Sequence, residues 1–153
     1  MDKRTEFSTA LKEAMKAKDE LTTATLRLIV SKMREKDIEA RPSGNTTGIS
    51  EAEILSMLQG MIKQRQESAD TYAKANRKDL ADRELAEIGV IKRYMPQQMS
   101  DDDVRKVIDG LIAELDVKDI KDMGKVMGAL KARYAGQLDM GKASGAIKQR
   151  LTG

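Results

Sequence analysis

The chain has 153 residues, enough for one domain or two small ones, and is 40% hydrophobic, 35% charged and only 3% aromatic. Cysteine and histidine are absent, which excludes zinc fingers and ribbons, thiolate nucleophiles, disulfide frameworks and histidine bases. With 28 basic against 25 acidic side chains the net charge is +3, so only an uneven distribution of charge can point to a polyanionic partner.

A carboxylate-only Mg²⁺ or Ca²⁺ site stays formally open, but no metal ligand and no cofactor is assigned. The start, Met1-Asp2-Lys3-Arg4-Thr5-Glu6, leads into a mixed-charge helix instead of an apolar signal segment. No apolar run approaches the roughly 20 residues that span a bilayer. A cytoplasmic protein with no membrane partner is expected.

The pattern is helical almost throughout. Ala, Leu, Met, Lys, Glu and Arg dominate, alternating β-branched runs are missing, and only Pro42 and Pro96 interrupt as prolines. A first amphipathic stretch sets Phe7, Leu11, Ala14 and Met15 on one face and stops near Lys18-Asp19. A second, from about Thr22 to Ala40, buries Leu26, Ile29, Val30 and Met33. Residues 41–48, Arg-Pro-Ser-Gly-Asn-Thr-Thr-Gly, form a loop expected to be mobile. Ser50-Glu51-Ala52-Glu53 is a capping box, in which the Ser50 hydroxyl takes one orphan N–H and Glu53 reaches back to the cap.

The helix it opens carries Ile54, Leu58, Met61, Ile62, Ala69 and Tyr72 and should end near Ala75-Asn76. A fourth carries Leu85, Ile88 and Ile91 and must stop before Pro96, which disfavours helical geometry at Met95. Ser100 followed by Asp101, Asp102 and Asp103 caps a fifth helix with acids at its positive end. Val104, Val107, Ile108, Leu111 and Ile112 form its stripe. Two shorter helices follow, one with Met123, Val126, Met127, Leu130 and Tyr134 ending at Gly136, one with Met140, Ala143, Ile147 and Leu151. No internal repeat is expected. The reading is all-α: a four-helix bundle over residues 1–96 and a smaller three-helix bundle over 97–153.

Charge divides unevenly at the C-terminal end. Residues 99–122 hold 4 basic and 8 acidic side chains, a net of −4; residues 123–153 hold 6 basic ones (Lys125, Lys131, Arg133, Lys142, Lys148, Arg150) against Asp139 alone, a net of +5. Such a patch can hold phosphates; it can equally be a solvated face whose cations pair with the neighbouring acidic helix. The same segment contains Gly124, Gly128, Gly136, Gly141 and Gly145, and helix-interior glycine costs about 1 kcal/mol against alanine. Close packing is expected at Gly128 and Gly145, and a C-cap at Gly136. Gly124 and Gly141 sit at helix starts beside Lys125 and Lys142, where an anion can dock.

These residues resemble a known family. Asp122-Met123-Gly124-Lys125-Val126-Met127-Gly128, then Gly136, Asp139 and a terminal amphipathic helix, is similar to the tail domain of the GatB/YqeY family. Leu11 to Asp19, Leu26-Arg27-Leu28-Ile29, Lys63-Gln64-Arg65, Arg77-Lys78-Asp79-Leu80 and Tyr94-Met95-Pro96-Gln97-Gln98 agree in the same order, so the resemblance covers essentially the whole chain. It implies a four-helix bundle followed by a three-helix bundle. Related tails are attached to the B subunit of glutamine-dependent tRNA amidotransferases and to some glutaminyl-tRNA synthetases, where they help hold tRNA away from the reacting centre. It also brings the family label of a carbon–nitrogen ligase with glutamine as amido-N-donor. The amidase and ATP-dependent sites of those complexes lie on other domains, and no G-x-x-x-x-G-K-[ST] loop occurs here.

Three functions are weighed. As a tRNA-binding module in translation, the protein would grip the backbone at the elbow by shape with Lys125, Lys131, Arg133, Lys142, Lys148 and Arg150. Phe7, Tyr72, Tyr94 and Tyr134 are too few for stacking readout of single strands, and no DNA specificity is expected. As an adaptor for a synthetase or amidotransferase subunit, it would use Arg65, Ser68, Arg77 and Asp79. As an enzyme, its best constellation is Glu84 and Glu87 beside Arg83, Lys92 and Arg93; no catalytic residue is assigned.

Overall fold

The computed structural model describes residues 2–152. They form seven α-helices with no strand: α1 (Lys3–Lys16), α2 (Glu20–Ala40), α3 (Glu51–Lys74), α4 (Lys78–Lys92), α5 (Asp101–Glu114), α6 (Met123–Tyr134) and α7 (Met140–Thr152). The chain divides into two compact units, Met1–Met95 and Pro96–Gly153.

Helix boundaries follow local chemistry. Asp2 and Asp19 accept the Thr5 and Thr22 amides at the starts of α1 and α2. The Ser50–Glu53 capping box is closed in both directions, and Ser100 accepts the Asp103 amide at the start of α5. Three helices stop the same way. Lys18, Asn76 and Asp116 adopt positive φ of 57°, 59° and 52°. Beyond each, an amide reaches back five residues, Asp19 to the Ala14 carbonyl, Arg77 to Tyr72 and Val117 to Ile112. These are Schellman ends carried by residues other than glycine.

In the N-terminal unit Phe7, Leu26, Ile29, Ile54, Leu58, Val90 and Ile91 are almost completely buried. Tyr94 packs edge-on against Phe7, ring centroids 5.5 Å apart at 78°, which suits the quadrupoles of the two rings. Residues 41–49 form a hydrogen-bonded connection that opens on a 3₁₀ turn over Arg41–Ser43. The Asn45 side chain accepts from the Thr47 and Gly48 amides and donates to the Gly48 carbonyl. Arg4 holds Asp37 with two hydrogen bonds of 2.7 and 2.8 Å, and Asp37 also accepts the Ile49 amide at 2.8 Å. Gly48, at φ +105°, lies so close that a Cβ there would stand 2.6 Å from Arg4 Nη2.

Four packing expectations fail. Met15 is 51% exposed, and Leu85 46%, because each lies at the margin of its helix's buried face. Gly128 and Gly145 are exposed, with nothing within 4 Å of where a Cβ would stand, so they mediate no packing within the unit.

The C-terminal unit is built on smaller side chains. Ile108, Leu111, Val117, Val126, Leu130, Leu138, Ala143 and Ile147 form its core. Met99 donates its amide to the Gln137 carbonyl, and Gln98 Nε2 donates to the carbonyls of Pro96 and Gly136. The C-cap expected at Gly136 is corrected: Ala135 has already left the helix (ψ 131°), and Gly136 (φ +77°) is the third residue of a type II turn in which the Gln137 amide donates to the Tyr134 carbonyl.

Candidate nucleic-acid interface

The face in question comes from α6 and α7. The 3.6-residue period buries Val126 and Leu130 of α6 and leaves Gly124, Gly128 and Lys131 on its opposite, exposed side, with Lys125 beside them. In α7 the same geometry buries Ala143 and Ile147 and exposes Gly141, Gly145 and Lys148, with Lys142 beside them. Met127 is half-buried against the core.

The six cations differ in what already holds them. Arg133 grips Glu114 of α5 through two hydrogen bonds of 2.7 and 2.9 Å. This contact draws the Glu114 carboxyl below its ordinary range and raises the Arg133 guanidinium. Arg150 Nε donates to Asp109 of α5 at 2.7 Å. Lys125 lies 3.7 Å from Asp122, one turn away. Lys131, Lys142 and Lys148 make no side-chain ion pair or hydrogen bond among the described residues and are exposed. The patch read from composition is therefore a set of open lysines beside two arginines anchored on the acidic helix. Composition could not separate them, because the pairing depends on which turns of α5 face α6 and α7.

The anion-docking expectation at the start of α7 is corrected. Asp139 Oδ1 accepts from the amides of Gly141 (2.8 Å) and Lys142 (3.1 Å), so a carboxylate of the chain already occupies that helix end. The start of α6 has no side-chain cap and follows directly on a 3₁₀ turn over Ile120–Asp122. Near α7 lies a hollow of about 420 Å³ whose rim carries Asp101, Arg105, Asp139 and Lys142. Arg105 is itself hydrogen-bonded to Asp102.

The other constellations are engaged internally. Arg65 donates to Glu87 at 2.9 Å, and both side chains are mostly buried (13% and 15% exposed). Arg83 approaches the same carboxylate at 3.9 Å, which leaves Glu84 without its acid–base partner. Arg77 pairs with Asp79. No cluster of three or more carboxylates is positioned for a metal ion, and no helix is long and apolar enough to cross a membrane, among the described residues.

An all-helical chain with a capped N-terminal bundle, a Gly-Lys-rich pair of closing helices and Gly136 between them matches a family model described as Yqey-like protein over residues 4–151. The chain belongs to the YqeY-like family. Among curated proteins it is similar to altered inheritance of mitochondria protein 41, mitochondrial. The Lachancea thermotolerans protein is 34% identical over 107 residues, 69% of this chain and 55% of that one. The Vanderwaltozyma polyspora protein is 36% identical over 85 residues, 56% and 44%. The Saccharomyces cerevisiae protein is 29% identical over 126 residues, 78% and 65%. The chain thus spans less than two thirds of each relative's length. The cytoplasmic expectation is overturned by this finding, since these relatives are named as mitochondrial proteins.

Proposed function

We propose that the C-terminal unit is a tRNA-binding module, non-catalytic by itself and auxiliary to aminoacylation or transamidation, that holds the folded RNA by its backbone. The observation that carries this reading is the combination of open lysines (Lys131, Lys142, Lys148) with exposed glycines on the same two helices. Lysine side chains with no acid to answer to are ready for phosphate oxygens. Helix-interior glycines such as Gly128 and Gly145 lower helix stability by about 1 kcal/mol each without any packing return. A sugar-phosphate backbone lying close against the helix gives them a purpose. Arg133 and Arg150 serve in this reading as struts to α5, with phosphate contact falling to the lysines.

The test is a salt titration of tRNA binding by fluorescence anisotropy, with mitochondrial tRNA included beside bulk tRNA because of the relatives' naming. If about four phosphates are neutralised, log K falls against log salt with a slope of about −3 to −4. Lys142→Glu with Lys148→Glu flattens that slope and weakens binding at least tenfold. A salt-insensitive interaction, or none, overturns the proposal. Amide transfer by the purified chain with glutamine, ATP and mischarged tRNA would overturn its non-catalytic part.

A second reading, an adaptor docking on a synthetase or amidotransferase subunit, draws on exposed apolar side chains of α2, Leu21, Leu28 and Ile38. It predicts capture of such a subunit that survives RNase; the tRNA reading predicts that capture is lost.

A further inference from the structure

The expectation that the chain holds no internal repeat is wrong, and the structure makes the repeat visible. Asp122-Met-Gly-Lys-Val-Met-Gly-Ala-Leu-Lys-Ala-Arg-Tyr134 aligns without a gap to Asp139-Met-Gly-Lys-Ala-Ser-Gly-Ala-Ile-Lys-Gln-Arg-Leu151. Eight of the 13 positions are identical.

Equivalent residues take equivalent places. Val126 and Ala143 are fully buried, as are Leu130 and Ile147. Gly124 and Gly141, Lys125 and Lys142, Gly128 and Gly145, and Lys131 and Lys148 are all exposed. The final matched cation of each copy, Arg133 or Arg150, bonds a carboxylate of the same helix, Glu114 or Asp109 of α5.

Three of the eight identities have a place in the fold: Met123 and Met140, and Ala129 and Ala146, pack partly buried against the core, and Arg133 and Arg150 tie to α5. At the buried positions the two copies differ (Val against Ala, Leu against Ile), as interchangeable core residues do. On the solvent side Gly, Lys, Gly and Lys recur unchanged. Among these glycines only Gly141 has a close neighbour, since a Cβ there would stand 3.2 Å from Asp139 Oδ1; packing does not select the other positions, and helix propensity disfavours the glycines.

We infer that α6 and α7 are two copies of one backbone-gripping element, each offering a glycine-floored strip with lysines at its edges to a separate phosphodiester segment of the same RNA. This rests on the tRNA reading above and deepens it: binding is bivalent, and each helix contributes a comparable share. Within a copy, the two glycines lie four residues apart and stack one turn above the other, so together they open a groove along the helix. The lysine after the first glycine and the lysine three residues beyond the second stand at its two ends. The arginine tie to α5 fixes each helix in place without using the lysines. One identical position differs in role. Asp139 caps its helix through backbone amides, whereas Asp122 makes no cap and lies beside Lys125.

The experiment compares the wild-type full chain with Lys125→Gln/Lys131→Gln, with Lys142→Gln/Lys148→Gln and with the fourfold variant, using tRNA over a range of salt. Each double variant is expected to lose about 10- to 100-fold in affinity at 0.1 M salt and to flatten the log–log slope by about 2. The two losses should agree within about threefold, and the fourfold variant should lose at least their product. Gly128→Ala and Gly145→Ala supply a readout that a structural role would not give. With open space for the methyl group, each should raise Tm by about 2–4 °C while weakening tRNA binding. If only one pair of lysines matters, or if the alanine variants gain stability and keep full affinity, the two-copy inference falls while tRNA binding stands. If the wild-type chain binds no tRNA at any salt, the inference falls together with the reading beneath it.

Discussion

Gly48 in the N-terminal unit and Gly128 in the C-terminal unit are the same residue type under opposite demands. Gly48 has a positive φ and stands against the Arg4–Asp37 pair, so its missing Cβ is a condition of the fold. Gly128 is helical, exposed and faces empty space. The ion pairs divide in the same way. Arg4–Asp37 and Arg65–Glu87 are partly or mostly buried and join segments 33 and 22 residues apart within their unit. Arg133–Glu114 and Arg150–Asp109 are about half exposed. The N-terminal pairs close the structure of their own unit, while those of the C-terminal unit stay at its surface beside exposed lysines and glycines.

Breaking the inward-facing unit should have the largest effect. Phe7 is fully buried against Tyr94, and Phe7→Ala should destabilise the N-terminal unit by about 3–5 kcal/mol, measured by urea unfolding. Gly48→Ala comes next, at about 2 kcal/mol, because it combines an unfavourable φ with a clash against a tethered guanidinium. Gly128→Ala has the opposite sign, and a shared sign for the two would erase the contrast.

The acid limb sharpens the comparison further. Arg4 and the Ile49 amide hold the Asp37 carboxyl at about 2, below its ordinary 3.8. A carboxyl depressed in the folded state adds stability that is complete above the unfolded value and disappears as pH falls through the folded one. About 2 kcal/mol should therefore be lost between roughly pH 4 and pH 2. In Asp37→Asn that part of the acid transition should be missing.

Much of this architecture could be read from residues in order. Ser50 with Glu53, Ser100 with its three aspartates, and Pro96 set helix limits through contacts only a few residues long, which is why they were legible. The apolar period found Phe7, Leu26, Leu58, Val126 and Ile147, since a fully buried face is wide and unambiguous. It failed at Met15 and Leu85, where a helix edge is covered or bare according to neighbours far away in sequence. The long-range bonds of residues 41–49 are hidden for the same reason: Arg4 and Asp37, which reach Ile49, lie outside the loop.

At the candidate interface the cations were legible as a group, but not which of them α5 would hold. The repeat does not show in the apolar stripes, because the two copies differ at their fully buried positions, Val126 against Ala143 and Leu130 against Ile147. Asp139 is legible from its residue type as an N-cap, since a short carboxylate before a helix accepts its first free amides.

The edge-on meeting of Phe7 and Tyr94 also has a practical consequence. The chain has no tryptophan and only three tyrosines, so its ultraviolet signals are sparse enough to assign ring by ring. Burial raises the Tyr94 phenol above its usual ionisation range, and its asymmetric surroundings should give it a near-ultraviolet dichroism band. Alkaline titration of that band would follow the interior of the N-terminal bundle with no label attached.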